Sequence, residues 1–157
     1  MTYRKPFDKK LHDRLDTAAR QKIKDILATT RLTIKDNENR YGVDLIVSMD
    51  NKFVCNFETE VKEVWDGDKF PYSDIQLPAR KMKFAKDTYF IMFNKDLSHH
   101  LTIKGSDLAS CETRSIVNKY SQGNKEDFII VPTSIVKFDW LYKLAKKKSL
   151  NNMQNSI

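Results

Sequence analysis

The sequence of 157 residues has little of what marks secreted, membrane or zinc-binding proteins. Its two cysteines, Cys55 and Cys111, form no CxxC spacing, so neither a disulfide framework nor a zinc site is indicated. No run of eighteen apolar residues occurs, which argues against a membrane-spanning helix. The first residues lack the apolar core of a secretory signal. We therefore expect an intracellular, cytoplasmic protein that is not secreted, has no membrane partner and keeps free thiols.

Glycine and proline are also scarce, with four of each. No glycine loop of the Walker or Rossmann type is present, so the sequence gives no sign of these nucleotide-binding sites. The length fits one domain that can bury a real core, and 40% of the residues are hydrophobic. We predict a single α/β domain over residues 1–150 and a frayed C-terminal tail over residues 151–157.

The charge balance is basic, with 28 lysines and arginines against 21 acidic residues and a net charge of +7. Such a surplus suits a polyanionic partner, because lysine and arginine neutralise phosphates and release counterions. It equally suits solubility. Charge alone leaves both interpretations open.

The spacing of apolar residues predicts alternating helices and strands. The predicted helices are residues 8–29, 74–86 and 138–148, and the predicted strands are 41–49, 52–64, 89–93, 101–103 and 128–132. We predict a loop over residues 30–39, and residues 106–120 remain ambiguous. This order predicts an α/β fold in a single domain, with a central mixed β-sheet flanked by helices.

The most informative motif is an acid followed sixteen residues later by an acid-x-lysine triplet, namely Asp44 and then Glu60-Val61-Lys62. Acid-x-lysine occurs three times in the chain, but only this copy lies in an extended, partly apolar run with an acid on the preceding strand. Two carboxylates and a lysine at the ends of neighbouring strands can hold a divalent metal beside a phosphodiester. The alternative is that Glu60 and Lys62 form a solvated strand face.

The two predicted strands form a hairpin that reverses at Asp50-Asn51, and its register tests the motif. Opposed residues share a face of a sheet. A strict two-residue turn sets Asp44 and Glu60 on opposite faces, where they cannot share a metal. One bulge, or a three-residue loop, sets Asp44 opposite Glu58 and diagonal to Glu60. The nuclease hypothesis therefore requires an irregularity in this hairpin.

Two groups of basic residues are candidates for contacting phosphates. Lys9, Lys10 and Arg14 lie on the polar face of the first predicted helix. Arg80, Lys81 and Lys83 cluster on the second predicted helix. The alternative for both groups is an ordinary solvated helix face.

The succession of strand, acid, strand, Glu60-Val61-Lys62, helix and strand resembles the core of the PD-(D/E)XK nuclease superfamily, which includes restriction enzymes and Holliday-junction resolvases. The resemblance covers about residues 8–95, and Gln76 is similar to a glutamine of some resolvase-like members. Val43, rather than proline, precedes Asp44. The superfamily also includes inactive members that only bind.

The resemblance implies a restriction-endonuclease-like fold in which Asp44, Glu60 and the Val61 backbone carbonyl ligate Mg²⁺ or Mn²⁺. Lys62 would orient the attacking water or stabilise the transition state. Glu58 is a candidate for a second metal or for the outer shell, and a solvent-facing acid is its alternative. The implied partner is DNA, and the family pattern suggests a homodimer.

These observations predict a divalent-metal-dependent DNA nuclease, either resolvase-like and structure-selective or restriction-like. The leading alternative is an inactive nucleic-acid-binding or protein-interaction module on the same fold. A third interpretation is an interaction protein without a nucleic-acid role. RNA in place of DNA also remains open.

Overall fold

The computed structural model describes residues 9–117 and 125–147, with side chains from residue 14 onward. Two α-helices are described, α1 (Lys9–Ile26) and α2 (Trp140–Lys146). The strands are β1 (Leu32–Asp36), β2 (Leu45–Met49), β3 (Lys52–Val61), β4 (Asp74–Pro78), β5 (Thr88–Phe93), β6 (His100–Lys104), β7 (Glu112–Val117), β8 (Lys125–Pro132) and β9 (Lys137–Phe138). Short 3-10 helices follow β4, β6 and β8.

A six-stranded mixed sheet, in the order β1-β2-β3-β5-β6-β9, forms the centre of the fold. β3 and β5 are parallel, and the other neighbours are antiparallel. Every residue of β5 is buried, as its continuous apolar sequence predicts. The expectation of an α/β fold with a central mixed sheet is confirmed.

Both helices cover one face of this sheet. α1 turns Ala19 and Ile23 inward, Leu27 follows directly after the helix at the same spacing of four, and these side chains are buried in one apolar cluster. α2 adds Trp140, Leu141 and Leu144 to the same cluster. Burial of these apolar side chains holds α1 against the central sheet and determines which face of the sheet it covers.

A second sheet, in the order β4-β8-β7, contributes to the apolar cluster on the opposite face. Ile75 and Leu77 of β4 meet Phe90 and Met92 of β5 in a second buried cluster. The central sheet thus lies between a helical layer and a smaller sheet.

The β2–β3 hairpin contains the irregularity that the sequence argument requires. Asp50 and Asn51 form its turn with positive φ angles of 52° and 64°, and Met49 pairs with Lys52. The register then shifts, so that Ser48 pairs with Phe53 but Val47 pairs with Cys55. Val54 is the extra residue, and it is buried like its neighbour Cys55. One bulge therefore follows a two-residue turn.

Two sequence expectations need correction, and one stretch that the sequence left open is now assigned. Residues 74–86 were predicted as a helix but form β4 and the 3-10 helix Ala79–Phe84. Residues 30–39 were predicted as a loop but contain β1. The ambiguous stretch contains a 3-10 helix, Gly105–Ser110, and β7. The cause for residues 74–86 is pairing of β4 with β8, which lies far along the chain.

The other predicted elements are present with shifted ends. Within the described residues, no helix is long and apolar enough to cross a membrane. The tail predicted over residues 151–157 lies outside the described residues. Cys55 and Cys111 are free thiols, as expected.

Candidate active site at the end of the central sheet

The hairpin register brings Asp44 and Glu58 together. Leu45 pairs with Phe57, so continuing the ladder by one residue sets Asp44 opposite Glu58. The Asp44 backbone N–H donates to Oε2 of Glu58 at 3.2 Å. Without the bulge at Val54, these two acids would lie out of register. The predicted juxtaposition of Asp44 and Glu58 therefore follows from one extra residue.

At the end of β2, the Asp44 carboxylate accepts a backbone hydrogen bond from β3 in place of a strand carbonyl. Its Oδ2 accepts the Thr59 backbone N–H at 2.8 Å and lies 3.3 Å from the Thr59 hydroxyl. Burial raises the pKa of Asp44 most strongly, and the nearby Asp16 carboxylate adds to the increase. The Thr59 hydrogen bond and the charges of Lys81 and Arg20 lower the pKa but do not cancel the increase.

Glu58 is the second partly desolvated acid. Burial raises its pKa first, and repulsion from Asp44 raises it further. Lys81, on the 3-10 helix after β4, donates to Glu58 Oε1 at 2.6 Å and opposes that increase. The two carboxylates thus repel one another in a poorly hydrated corner, where a cation would lower the cost of their charge.

Glu60 and Lys62 form a separate ion pair. Glu60 Oε1 lies 3.1 Å from Lys62 Nζ. Glu60 is two residues beyond Glu58 on β3, so it shares the Glu58 face of the sheet. Within the described residues, no hydrogen bond or ion pair joins Asp44 to Glu60 or Lys62. The catalytic and metal-binding roles of Asp44, Glu60 and Lys62 remain predictions.

No three histidine, cysteine or acidic side chains in the described part of the chain are arranged to hold one ion. Val61 ends β3, and the role of its carbonyl as a ligand stays a prediction. Gln76 was predicted on a helix, but it is an exposed residue of β4 paired with Ile130. Its auxiliary role loses the helical position on which the resemblance rested.

The predicted basic residues have different surroundings. Lys81 is engaged by Glu58, and Arg80 pairs with Glu126 at 2.8 Å. Lys83 is exposed, with its ammonium 4.9 Å from the centre of the Phe84 ring. Arg14 is an exposed residue of α1, whereas the side chains of Lys9 and Lys10 lie outside the description. Arg80, Lys81 and Lys83 all belong to a 3-10 helix, not to the predicted α-helix.

Sequence reasoning missed Asp16, Thr59 and the position of Lys81. Asp16 Oδ1 lies 3.4 Å from the Thr59 hydroxyl, and Asp16 also pairs with Arg20. Nothing in the pattern of α1 marks Asp16, because its proximity to Asp44 depends on how the helix packs on the sheet. Lys81 likewise meets Glu58 only because β4 pairs with a distant strand.

We expect Asp44→Asn to stabilise the metal-free protein by an amount that grows with pH. The folded-state pKa of Asp44 is raised, so its contribution to stability is present at low pH and is lost as pH rises through that pKa. Asparagine cannot ionise but can still accept the Thr59 N–H. Thermal melts in EDTA should show wild type and variant alike near pH 3 and the variant a few degrees higher at pH 7.

The control for that comparison is Asp66→Asn, which removes one negative charge from an exposed loop. Its melting temperature at pH 7 should stay close to that of wild type, because an exposed loop side chain contributes little to stability. Equal melting temperatures of wild type and Asp44→Asn at both pH values would contradict a desolvated Asp44 carboxylate.

Comparison with known structures finds a nuclease on a similar fold. The chain is similar to D212, a nuclease from a fusselovirus, with a TM-score of 0.54, 13% sequence identity, and 99% of each chain covered. No protein-family model matches the sequence. A search of curated proteins also finds no match. At this identity, the likeness establishes a shared fold.

Proposed function

We propose that this protein is a divalent-metal-dependent DNA nuclease whose reacting centre lies at the Asp44 end of the central sheet. The observation that supports the proposal most strongly is the contact between the Asp44 backbone and the Glu58 carboxylate across a bulged hairpin. The nuclease activity of D212, whose fold is similar over 99% of both chains, supports the same reaction class.

The residues present fit a hard divalent cation. Mg²⁺ is commonly bound by one or two carboxylates, with waters and substrate phosphate oxygens completing its shell. Asp44 and Glu58 offer two carboxylates, and both have raised pKa values because burial and like charge disfavour their ionisation. Mg²⁺ that is bound in this way, with waters and phosphate oxygens as its other ligands, needs no third carboxylate. Mn²⁺ is the alternative, since it also takes oxygen ligands.

We assign Asp44 and Glu58 as the primary ligands and Glu60 as a further carboxylate that reaches the metal on leaving Lys62. The Val61 carbonyl is a fourth candidate ligand. A bound cation would lower the pKa of a water and polarise the scissile phosphate. Lys62, freed from Glu60, would then hold the attacking water or neutralise charge on the phosphate. Asp16 and Thr59 would hold the Asp44 carboxylate in place.

The partner we propose is DNA, with RNA as an alternative substrate. Arg14 and Lys83 are exposed cations suited to phosphate contacts, while Lys81 and Arg80 already oppose acids. Cutting both strands of a duplex would require two sites, which favours a homodimer. The free thiols of Cys55 and Cys111 suit a reducing, intracellular location.

The test of this function is a cleavage assay on supercoiled, linear, single-stranded and branched DNA. Wild type should cut at least one of these in Mg²⁺ or Mn²⁺ and none in EDTA. Lys62→Ala, purified in parallel, controls for a contaminating nuclease and should be nearly inactive. Salt-sensitive DNA binding without cutting would instead support the inactive binding module. The observation that favours it is that no hydrogen bond or ion pair among the described residues joins Asp44 to Glu60 or Lys62. Absence of both cutting and binding would refute a nucleic-acid role.

A further inference from the structure

A cleft opens at the end of the central sheet where Asp44 and Glu58 lie, apart from that pair of acids. It encloses about 570 Å³ and is lined by aromatic rings, by His99 and by the hydroxyl residues Thr133 and Ser134. This volume is within the range of small-molecule sites and is ample for one nucleobase with part of its sugar. None of the residues predicted for catalysis lines it.

The strand registers connect this cleft to the candidate active site. Glu60 pairs with Met92, Met92 pairs with Leu101, and Leu101 pairs with Phe138, which lines the cleft. Paired residues share a face, so Glu60 and Phe138 belong to one row on one face of the sheet. Three strand spacings, about 14 Å, separate the ends of the row. A few nucleotides can span that distance.

The chain segment that follows Lys62 links the strand that carries Glu60 to the residues that line the cleft. Trp65 N–H donates to the Lys62 carbonyl at 3.0 Å, and the Trp65 carbonyl accepts from Lys95 N–H at 2.8 Å. The buried Trp65 ring meets Phe70 and Phe138 edge to face, with centroids 5.4 and 6.2 Å apart. The floor of the cleft is therefore anchored to the strand that carries Glu60.

Two aromatic rings that line the cleft are partly exposed to solvent. Tyr72 is 57% exposed, and it touches Phe70 edge to face at 5.8 Å. Phe138 is 36% exposed. Flat aromatic faces at the mouth of a cleft are what unpaired bases stack on, and they accept every base because every base has a π-face.

The polar groups of the cleft suit the edge of a base and the phosphate that follows it. Asp139 Oδ2 lies 3.0 Å from His99 Nδ1, and Asp139 Oδ1 accepts the His100 backbone N–H at 3.2 Å. This arrangement holds the His99 ring by Nδ1. In the part of the chain that the structure describes, no hydrogen bond engages Nε2, which leaves it for a ligand. Lys69 supplies a positive charge, while Asp68 and Asp139 supply negative ones. Base edges present both donors and acceptors to such a set.

We propose that this cleft holds an unpaired base of a DNA single strand, so that the enzyme selects DNA with a single-stranded segment beside the scissile phosphate. The inference rests on the proposed function, because the cleft lies about 14 Å from Glu60 along the row of paired residues, within reach of a strand that is cut there. It narrows the substrate from DNA in general to overhangs, flaps or branched ends.

The test uses a blunt DNA hairpin and the same hairpin with a short single-stranded tail that carries 2-aminopurine. Binding is measured by anisotropy in EDTA, where no metal-dependent cleavage occurs, and stacking is measured by quenching of the 2-aminopurine fluorescence. Wild type should bind the tailed hairpin about tenfold more tightly than the blunt one and quench the probe. Tyr72→Ala should lose both effects, and Tyr72→Phe should retain them.

Phe53→Ala is the matched control, because Phe53 is 53% exposed at the opposite end of the same sheet. It should behave like wild type. Equal affinity and quenching by wild type and Tyr72→Ala, or no preference of wild type for the tail, would overturn the proposed base site. Metal-dependent cleavage is scored separately, so a tail preference without cleavage would refute the nuclease and leave the base site standing.

Discussion

Asp44→Asn is expected to lower metal-dependent DNA cleavage by about a thousandfold or more, on the order of 4 kcal/mol in activation free energy. The substitution keeps the acceptor for the Thr59 N–H and removes the negative charge that faces Glu58. The folded structure should therefore persist while one of the two proposed metal ligands is lost. Single-turnover rates with saturating protein measure this effect without interference from product release.

DNA affinity provides the control for this variant. Removing a negative charge from the proposed site should leave the dissociation constant for DNA in EDTA unchanged or lower. Cleavage by Asp44→Asn at a rate near that of wild type would contradict the assigned site. Loss of binding together with cleavage would point to a structural defect, which the thermal melts described above would reveal.

The second large effect is expected when Lys62 or Lys81 is replaced by alanine. The cleavage rates of the two variants should depend on pH in different ways. Lys62→Ala should lower the cleavage rate by about a hundred- to a thousandfold at all pH values, as expected for loss of a group that stabilises the transition state. Lys81→Ala should act through Glu58. Without the 2.6 Å hydrogen bond and its charge, the pKa of Glu58 rises further.

Metal binding requires ionised carboxylates, so the acidic limb of the rate profile of Lys81→Ala should move to higher pH. Its rate should recover toward wild type at alkaline pH, whereas the rate of Lys62→Ala should not. Lys83→Ala is the matched control for the pH shift alone, because Lys83 lies on the same 3-10 helix but has no acidic partner among the described residues. It should leave the acidic limb where it is in wild type, even if DNA affinity falls. A loss in Lys81→Ala that is equally large at every pH would instead make Lys81 a catalytic group.

The predictable parts of the fold are those whose pattern is local. α1 and β5 follow from spacings of three and four and from a continuous apolar run, and both are confirmed. β4 was mistaken for a helix although Ile75 and Leu77 alternate as in a strand. The apolar Met82 and Ala85 favoured the helical interpretation, although Pro78 had to lie in the first turn to be tolerated. Only pairing with β8, about fifty residues away, decides the matter, and local sequence carries no record of that pairing.

The candidate site divides in the same way. Parity along a hairpin was sufficient to predict that Asp44 meets Glu58 if the hairpin contains one bulge, and Val54 supplies that bulge. Periodicity does not reveal which residue will bulge. Asp16 and Lys81 reach the acids from elements above and below the sheet, so their positions follow from tertiary packing. The pairing of Asp44 with Glu58 could therefore be predicted from the sequence. The residues that surround the two acids and shift their pKa values could not.

The most direct test of the acid pair as a metal site is anomalous diffraction from crystals of wild-type protein soaked in Mn²⁺. We predict one strong peak within about 2.5 Å of a carboxylate oxygen from both Asp44 and Glu58. The same soak of Asp44→Asn crystals should lose that peak. Mn²⁺ bound only elsewhere, in crystals of protein that cuts DNA with Mn²⁺, would contradict the assignment of the metal to this end of the sheet.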